Sequence, residues 1–402
     1  MKIALIDPSL FTWPYDRELA GAMVELGNDV RLFGKALPPD DPRCDDPVFR
    51  PLFYRSLQAG PLAQLPPAAA RIWKGLSHVG SMRRLARTLA VWRPDAIHFQ
   101  WLPLPVVDAR FLAGFRRMAP LVLTVHDSLP FNGTPGSSLQ NLGAVDIWRA
   151  FDRLIVHTRQ GEARLLEQGI PAARIARIPH GLLHSGEQAA PAARPQAATG
   201  PVEFLLFGKI KHYKGVDVII RALARLPESV RRQCRVRIAG KPYMDTAPLL
   251  ALARELGVAD VIQFDFRFVP DAELASLMTQ ADALLFPYRE IEASGVLMAT
   301  IAHGRPLIAS RLGAFGELIQ DGDSGFLVPP EDDGALAVAM ERFILDAELR
   351  RTATAGMLRL RDSIPSWKEI AQRTVTSYQA LADARQPAWQ PTAAAGERAS
   401  VA

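Results

Sequence analysis

FPYREIEASGVLMATIAHGRPLIASRLGAFGELIQDGDSG, residues Phe286 to Gly325, strings two buried strands, a Ser-Gly turn and a small-residue helix into one unit. The apolar run Ala283 to Phe286 reads as a strand, and Ser294-Gly295 opens a helical segment running to about Ala302. The backbone N–H groups at that helix start then face the end of the strand. Oriented N–H groups and the positive end of a helix dipole suit an anion, which makes Ser294, Gly295 and Val296 candidate binding residues. A second strand is expected over Pro306 to Ser310, and Gly313, Gly316, Gly322 and Gly325 mark loops where backbone can approach a ligand. Ordinary turn chemistry in any α/β protein leaves the same local pattern, so this stretch alone sets a fold class and not a function.

Upstream, Val202 to Gly215 reads VEFLLFGKIKHYKG: a continuous apolar strand ending at Gly208, then a loop with Lys209, Lys211 and Lys214. Val216, Ile219, Ile220 and Leu223 follow at helical spacing, so the lysines occupy a strand-to-helix loop at the carboxyl end of a buried strand. Lysines there are poised for phosphate, whereas the same residues in an ordinary loop would be solvated.

The order of GKIKHYKG, IAGKP, ADALLFPY, the Ser-Gly turn, AHGRPLIAS, Glu317 and DGDSGFLVPP resembles the carboxyl-terminal domain of retaining family 4 glycosyltransferases. Those enzymes have the GT-B architecture, two Rossmann-like α/β domains with parallel sheets facing a cleft. The resemblance covers most of residues 202 to 345. TVHD at 124 to 127, IVHT at 155 to 158 and IARIPHGL at 175 to 182 look like the family's first domain and interdomain crossover.

The resemblance implies transfer of a sugar from a nucleotide sugar to an acceptor hydroxyl with retention of configuration. Lys209 and Lys214 would hold the donor diphosphate beside Gly208. Lys209 stands where the family more often has Arg, and a lysine is a point charge without the bidentate fork. His126, after a strand of the first domain, would contact the donor sugar or stabilise positive charge near the leaving group. Glu317 matches a donor-pocket glutamate. The family's two glutamates separated by seven residues fall on Ile291 and Ala299, neither of which can accept a hydrogen bond; Glu290 and Glu292 flank the first position and are the candidate substitutes. The chain thus resembles a divergent subgroup. Neither a metal nor a cofactor beyond the nucleotide sugar is implied. Competing readings are a catalytically silent partner in a polysaccharide assembly complex, a sugar-nucleotide epimerase or phosphorylase, and a two-lobed solute-binding protein.

At 402 residues, 49% of them hydrophobic, the chain suits two domains of ordinary size. The expected division is a first domain at 1–184, a flexible Ala/Pro-rich linker at 185–201 and a second domain at 202–365. A helix at 366–384 would cross back to the first domain, followed by a disordered tail at 385–402. Within the first domain, strands are expected at 2–6, 30–33, 95–99, 121–125 and 153–157. Cys44 and Cys234 are the only cysteines, which implies neither a disulfide framework nor a zinc site. The amino terminus lacks a signal-peptide pattern, and apolar runs stay short of the roughly 18 residues that span a bilayer. A cytoplasmic location is expected.

Near the start, DPSLFTWPYDRELAG carries Trp13, Pro14 and Tyr15 where the family has glycines; this loop either closes over an acceptor or lipid chain, or packs on the domain surface. The stretch Arg71 to Arg93 interleaves basic residues with Trp73, Met82, Leu85, Leu89 and Trp92. It suits a helix lying on the anionic inner face of a membrane, and equally a helix with a core face and a solvated basic side. A net charge of +5 raises nucleic acid as a partner, but there is no helix-turn-helix or zinc motif, and none is expected. The resemblance implies a carbohydrate or lipid-linked acceptor, since relatives of this kind often build bacterial cell-surface polysaccharide or glycolipid.

Overall fold

The computed structural model describes residues 1–55, 67–127, 144–183 and 200–385. The expected linker, apart from residues 200 and 201, and the expected tail, apart from Arg385, lie outside the described residues. Two parallel sheets organise the chain. The first has seven strands: β1 (Lys2–Asp7), β2 (Asp29–Lys35), β3 (Phe49–Phe53), β4 (Ala96–Phe99), β5 (Leu121–Thr124), β6 (Arg153–Val156) and β7 (Ile175–Arg177). Their spatial order is 3-2-1-4-5-6-7. The second has β8 (Val202–Phe207), β9 (Cys234–Ala239), β10 (Ile262–Asp265), β11 (Ala283–Phe286), β12 (Leu307–Ser310) and β13 (Gly325–Val328), in the order 10-9-8-11-12-13.

Both sheets reverse direction of strand addition once, between β1 and β4 and between β8 and β11. A crevice opens at the carboxyl ends of the strands at such a reversal, and ligands bind there in open α/β sheets. The strands are apolar on both faces, as parallel strands under helices must be: β4, β5, β11, β12 and β13 are buried at every residue.

Strands β3 and β7 of the first half went unread in the sequence, as did β9, β10 and β13 of the second. β3 contains Pro51, which cannot donate a ladder hydrogen bond, and the structure places it at the sheet edge where that loss is tolerated. β7 is three residues long and forms the opposite edge.

The helix Pro67–Trp92 contains the basic-aromatic stretch. Met82, Leu85, Leu89 and Trp92 are buried in the core of the first half, while Arg83, Arg84, Arg87 and Arg93 are exposed. That part of its apolar surface is spent on the core, each buried leucine contributing about 1.5–3 kcal/mol, while Trp73, Leu76 and Val91 stay exposed. The side chains of Arg71, Ile72 and Lys74 lie outside the described residues.

Tyr15 is not a surface residue. It is 2% exposed and meets the rings of His126, His157, His180 and Trp367, with centroids 5.0–5.2 Å away. Trp13 packs edge-on against Phe49 at 5.4 Å, and Phe11 against Trp101 at 5.7 Å.

The helix Trp367–Asp383 begins with a capping box made by Ser366 and Glu369. Its Ile370, Ala371, Val375 and Tyr378 are buried among Ile3, Leu5 and Leu19, so this last helix completes the core of the first half. Trp367 Nε1 donates to the carbonyl of Leu182 at 2.7 Å, pinning the helix start to the crossover.

Candidate active site

At the end of β8 the chain turns through Gly208, with φ +99°, into the lysine loop. Lys214 is only 2% exposed. Its Nζ donates to the carbonyl of Phe207 at 2.9 Å and to the Tyr288 hydroxyl at 2.5 Å, and lies 4.7 Å from the centre of the Tyr288 ring. Burial, aided by the charge of Lys211, pushes the ammonium down to about 7. Next to it, Gly215 is in the left-handed region at φ +66°, and a Cβ there would collide with the carbonyl of Pro287. Both conditions require glycine.

Gly208 ties this ammonium to the helix start. A Cβ on it would sit 3.2 Å from Lys214 Nζ and 3.6 Å from Val296 Cγ2. The helix runs from Gly295 to Ala302, and the Ser294 hydroxyl caps it by accepting from the Leu297 N–H at 3.1 Å. The N–H groups of Gly295 and Val296 have no carbonyl four residues back within the helix and remain available to an anion. The structure thus brings Gly208, Lys214, Ser294, Gly295 and Val296 to one place. Lys209 follows Gly208 with its side chain exposed; partial desolvation and the charges of Lys211 and Lys35 lower its ammonium. Lys35, the last residue of β2 in the first half, was not singled out from the sequence. A basic residue ending a buried strand was the available signal.

Between the halves lies a cleft of about 260 Å³ lined by Asp127, Gln160 and Arg164 from the first half and by Lys211, Tyr213 and Glu290 among others from the second. Glu290 is exposed on its wall; with burial and Asp127, its charge pushes the Tyr213 phenol up to about 12. Glu292 is buried, ion-pairs with Arg164 at 3.2 Å and leaves no room for a Cβ on Gly161. Glu317 accepts from the backbone N–H groups of Arg159 and Gln160 at 2.8 and 2.9 Å. Both glutamates were expected in the donor pocket. Glu292 lines the cleft, and both carboxylates also face the helix Arg159–Glu167 of the first half, whose positive amino-terminal end attracts them. Of the two positions where glutamates were sought, Ile291 lines the cleft and Ala299 is buried in its helix.

His126 follows β5 in the first half. Its Nε2 donates to Gln100 Oε1 at 3.1 Å, since an amide oxygen only accepts, and its ring stacks on Trp101 at 5.5 Å. His157 donates from Nδ1 to the carbonyl of Ile178 at 2.9 Å, and His180 from Nδ1 to that of Gly181 at 2.7 Å. His98 bonds the Tyr378 hydroxyl at 2.6 Å and Thr124 Oγ1 at 2.7 Å. Burial lowers all four: His98 and His180 to about 3, His157 to about 4, and His126 well below its ordinary value, with the other histidines adding to the effect. At neutral pH His126 is an uncharged imidazole with a free Nδ1 lone pair, suited to a hydroxyl.

Residues 191–355 match the family model described as Glycosyl transferases group 1, and residues 12–181 match a Glycosyl transferase 4-like domain. The D-inositol 3-phosphate glycosyltransferase of Acidothermus cellulolyticus is 28% identical over 404 residues, covering 94% of this chain and 87% of that protein. The glycogen synthase of Mycobacterium tuberculosis is 31% identical over 297 residues, covering 71% and 69%. HepE of Anabaena, solved with UDP and glucose, superposes with a TM-score of 0.71 at 20% identity, covering 95% of this chain and all of that one. The chain belongs to the glycosyl transferases group 1 family and is a glycosyltransferase with the GT-B fold, built on two Rossmann-like domains.

Proposed function

We propose that the protein moves a sugar from a nucleoside-diphosphate donor to an acceptor hydroxyl with retention of configuration. The observation that carries this reading is the buried Lys214 ammonium, separated by Gly208 alone from the start of the helix Gly295–Ala302. A preorganised cation and a helix amino terminus stabilise a departing diphosphate more in a water-poor site than in solution. The UDP bound in HepE supports the same class of donor.

In this scheme the bond from the anomeric carbon to the β-phosphate oxygen breaks, and its electron pair leaves with the diphosphate. The acceptor oxygen attacks from the same face and passes its proton to that phosphate. Lys209 and Lys35 steady the diphosphate, and His126 holds a donor hydroxyl. Charge is neutralised by side chains and backbone amides, so the scheme needs no metal. The exposed Arg83, Arg84, Arg87 and Arg93 support work beside an anionic membrane, in cell-surface polysaccharide or glycolipid synthesis. Among the described residues no helix is long and apolar enough to cross a membrane.

The test is a panel of UDP-, GDP-, dTDP- and ADP-sugars, read by thermal shift and slow donor hydrolysis, with the Lys209→Ala/Lys214→Ala double variant beside the wild type. Stabilisation and nucleotide release by one donor, both lost in the variant, is the expected result. A protein that ignores every nucleotide sugar would sink the proposal.

A further inference from the structure

A pocket of about 50 Å³ opens on the first half, beside His126 at the carboxyl ends of β4 and β5. That is several times the ~10–15 Å³ one water-sized probe needs, so it admits a short substituent and not a sugar ring. Trp101, Leu102, Leu123, Ile147 and Trp148 wall it with apolar surface. Its polar lining is Gln100, Thr124, His126 and Asp127, and of these Gln100 holds a buried atom left unpaired. Gln100 is 1% exposed and lines the pocket; its Oε1 is engaged by His126, while its Nε2 has no hydrogen-bond partner among the described residues. An amide N–H buried without a partner is costly, and a ligand that supplies an acceptor removes the cost. Asp127 lines both this pocket and the interdomain cleft, so a molecule held here reaches the reacting region.

Among the described residues, neither Lys nor Arg lines the pocket. A phosphate or carboxylate would be stripped of water here, beside Asp127, with no cation to meet it. The pocket asks for an uncharged group with one carbonyl-type acceptor and an apolar end.

We propose that the pocket seats the N-acyl substituent of an acceptor sugar, its carbonyl oxygen accepting from Gln100 Nε2 and its methyl packing on Ile147 and Trp148. The inference rests on the glycosyltransfer reading, with the acceptor on the first half, and names the acceptor's class. Removing the acyl group would leave Nε2 unpaired and an apolar void, a discrimination of roughly 10–100-fold.

The experiment compares transfer to N-acetylglucosaminide, glucosaminide and glucoside acceptors, using the donor identified by hydrolysis. It is paired with saturation-transfer NMR on the acetyl methyl. The wild type should favour the N-acetyl acceptor in kcat/KM by at least ~10-fold. Ile147→Trp, which fills the pocket, and Gln100→Leu, which removes the donor, should each collapse that ratio. Donor-induced thermal shift reports whether each variant is folded. Equal use of the three acceptors, or no transfer and no methyl saturation while donor hydrolysis proceeds, overturns the proposal and leaves the glycosyltransfer reading standing. Absence of donor hydrolysis overturns both.

Discussion

Glu317 Oε2 accepts a hydrogen bond from the backbone N–H of Arg159 at 2.8 Å, joining residues 158 positions apart and on opposite sides of the cleft. Its other oxygen takes the Gln160 N–H. A capping carboxylate of this kind contributes about 0.5–2 kcal/mol. Here that energy favours the closed arrangement of the halves. Glu317→Ala should therefore raise the radius of gyration measured by small-angle X-ray scattering without donor, and raise the donor KM several-fold. An unchanged scattering curve and KM would show that this contact does not set the arrangement of the halves.

Lys214 should trade stability for binding. Its ordinary value of 10.5 drops to about 7 in the fold. Between those values the unfolded chain holds a proton that the folded chain lacks, so this group makes stability rise with pH from 7 to 10.5. Donor binding, which uses the ammonium, should weaken as pH climbs above 7 and be accompanied by proton uptake. Lys214→Met should raise the melting temperature, by about 2–4 °C for each kcal/mol recovered, while removing the donor-induced shift. Calorimetry in buffers of different ionisation enthalpy measures the uptake directly.

Acid should unfold the first half by way of its histidines. His98, His157 and His180 titrate at about 3 to 4 when folded, against 6.5 ordinarily. Depressed values mean that the unfolded state binds protons first, so stability is whole above pH 6.5 and falls toward pH 4. Each such histidine costs up to about 1.4 kcal/mol per pH unit. The melting temperature should drop steeply from pH 6.5 to 4.5, and His98→Gln should flatten that slope.

Gly181 faces the ring of Trp367 so closely that a Cβ would stand 2.5 Å from it. Gly181→Ala should displace the amino end of the helix Trp367–Asp383 at a cost of about 1–3 kcal/mol. Loss of the hydrogen bond from Trp367 to Leu182 would show as faster amide exchange through that helix. Unchanged exchange would mean that the crossover yields instead.

The strands and helices around the donor pocket were legible because apolar runs, a serine cap and glycines act over a few residues. Ser294 and Gly208 could be placed from their neighbours alone. Glu292 and Glu317 could not: each carries the local signature of a pocket acid, and only the approach of a helix more than a hundred residues upstream engages them. Tyr15 was misjudged for a related reason. A bulky residue in a loop reads as surface until four distant rings are seen to surround it. Gln100 left no trace in the sequence, because an unpaired amide is a property of what fails to surround it.

The helix Trp367–Asp383 also orders events during synthesis. Ile3 and Leu5 are made hundreds of residues before Ile370 and Tyr378, which close the core around them. The second half can finish folding while the first still has an open flank. An amino-terminal fragment ending before Trp367 would expose that flank, so the first half to be made is the last to be completed.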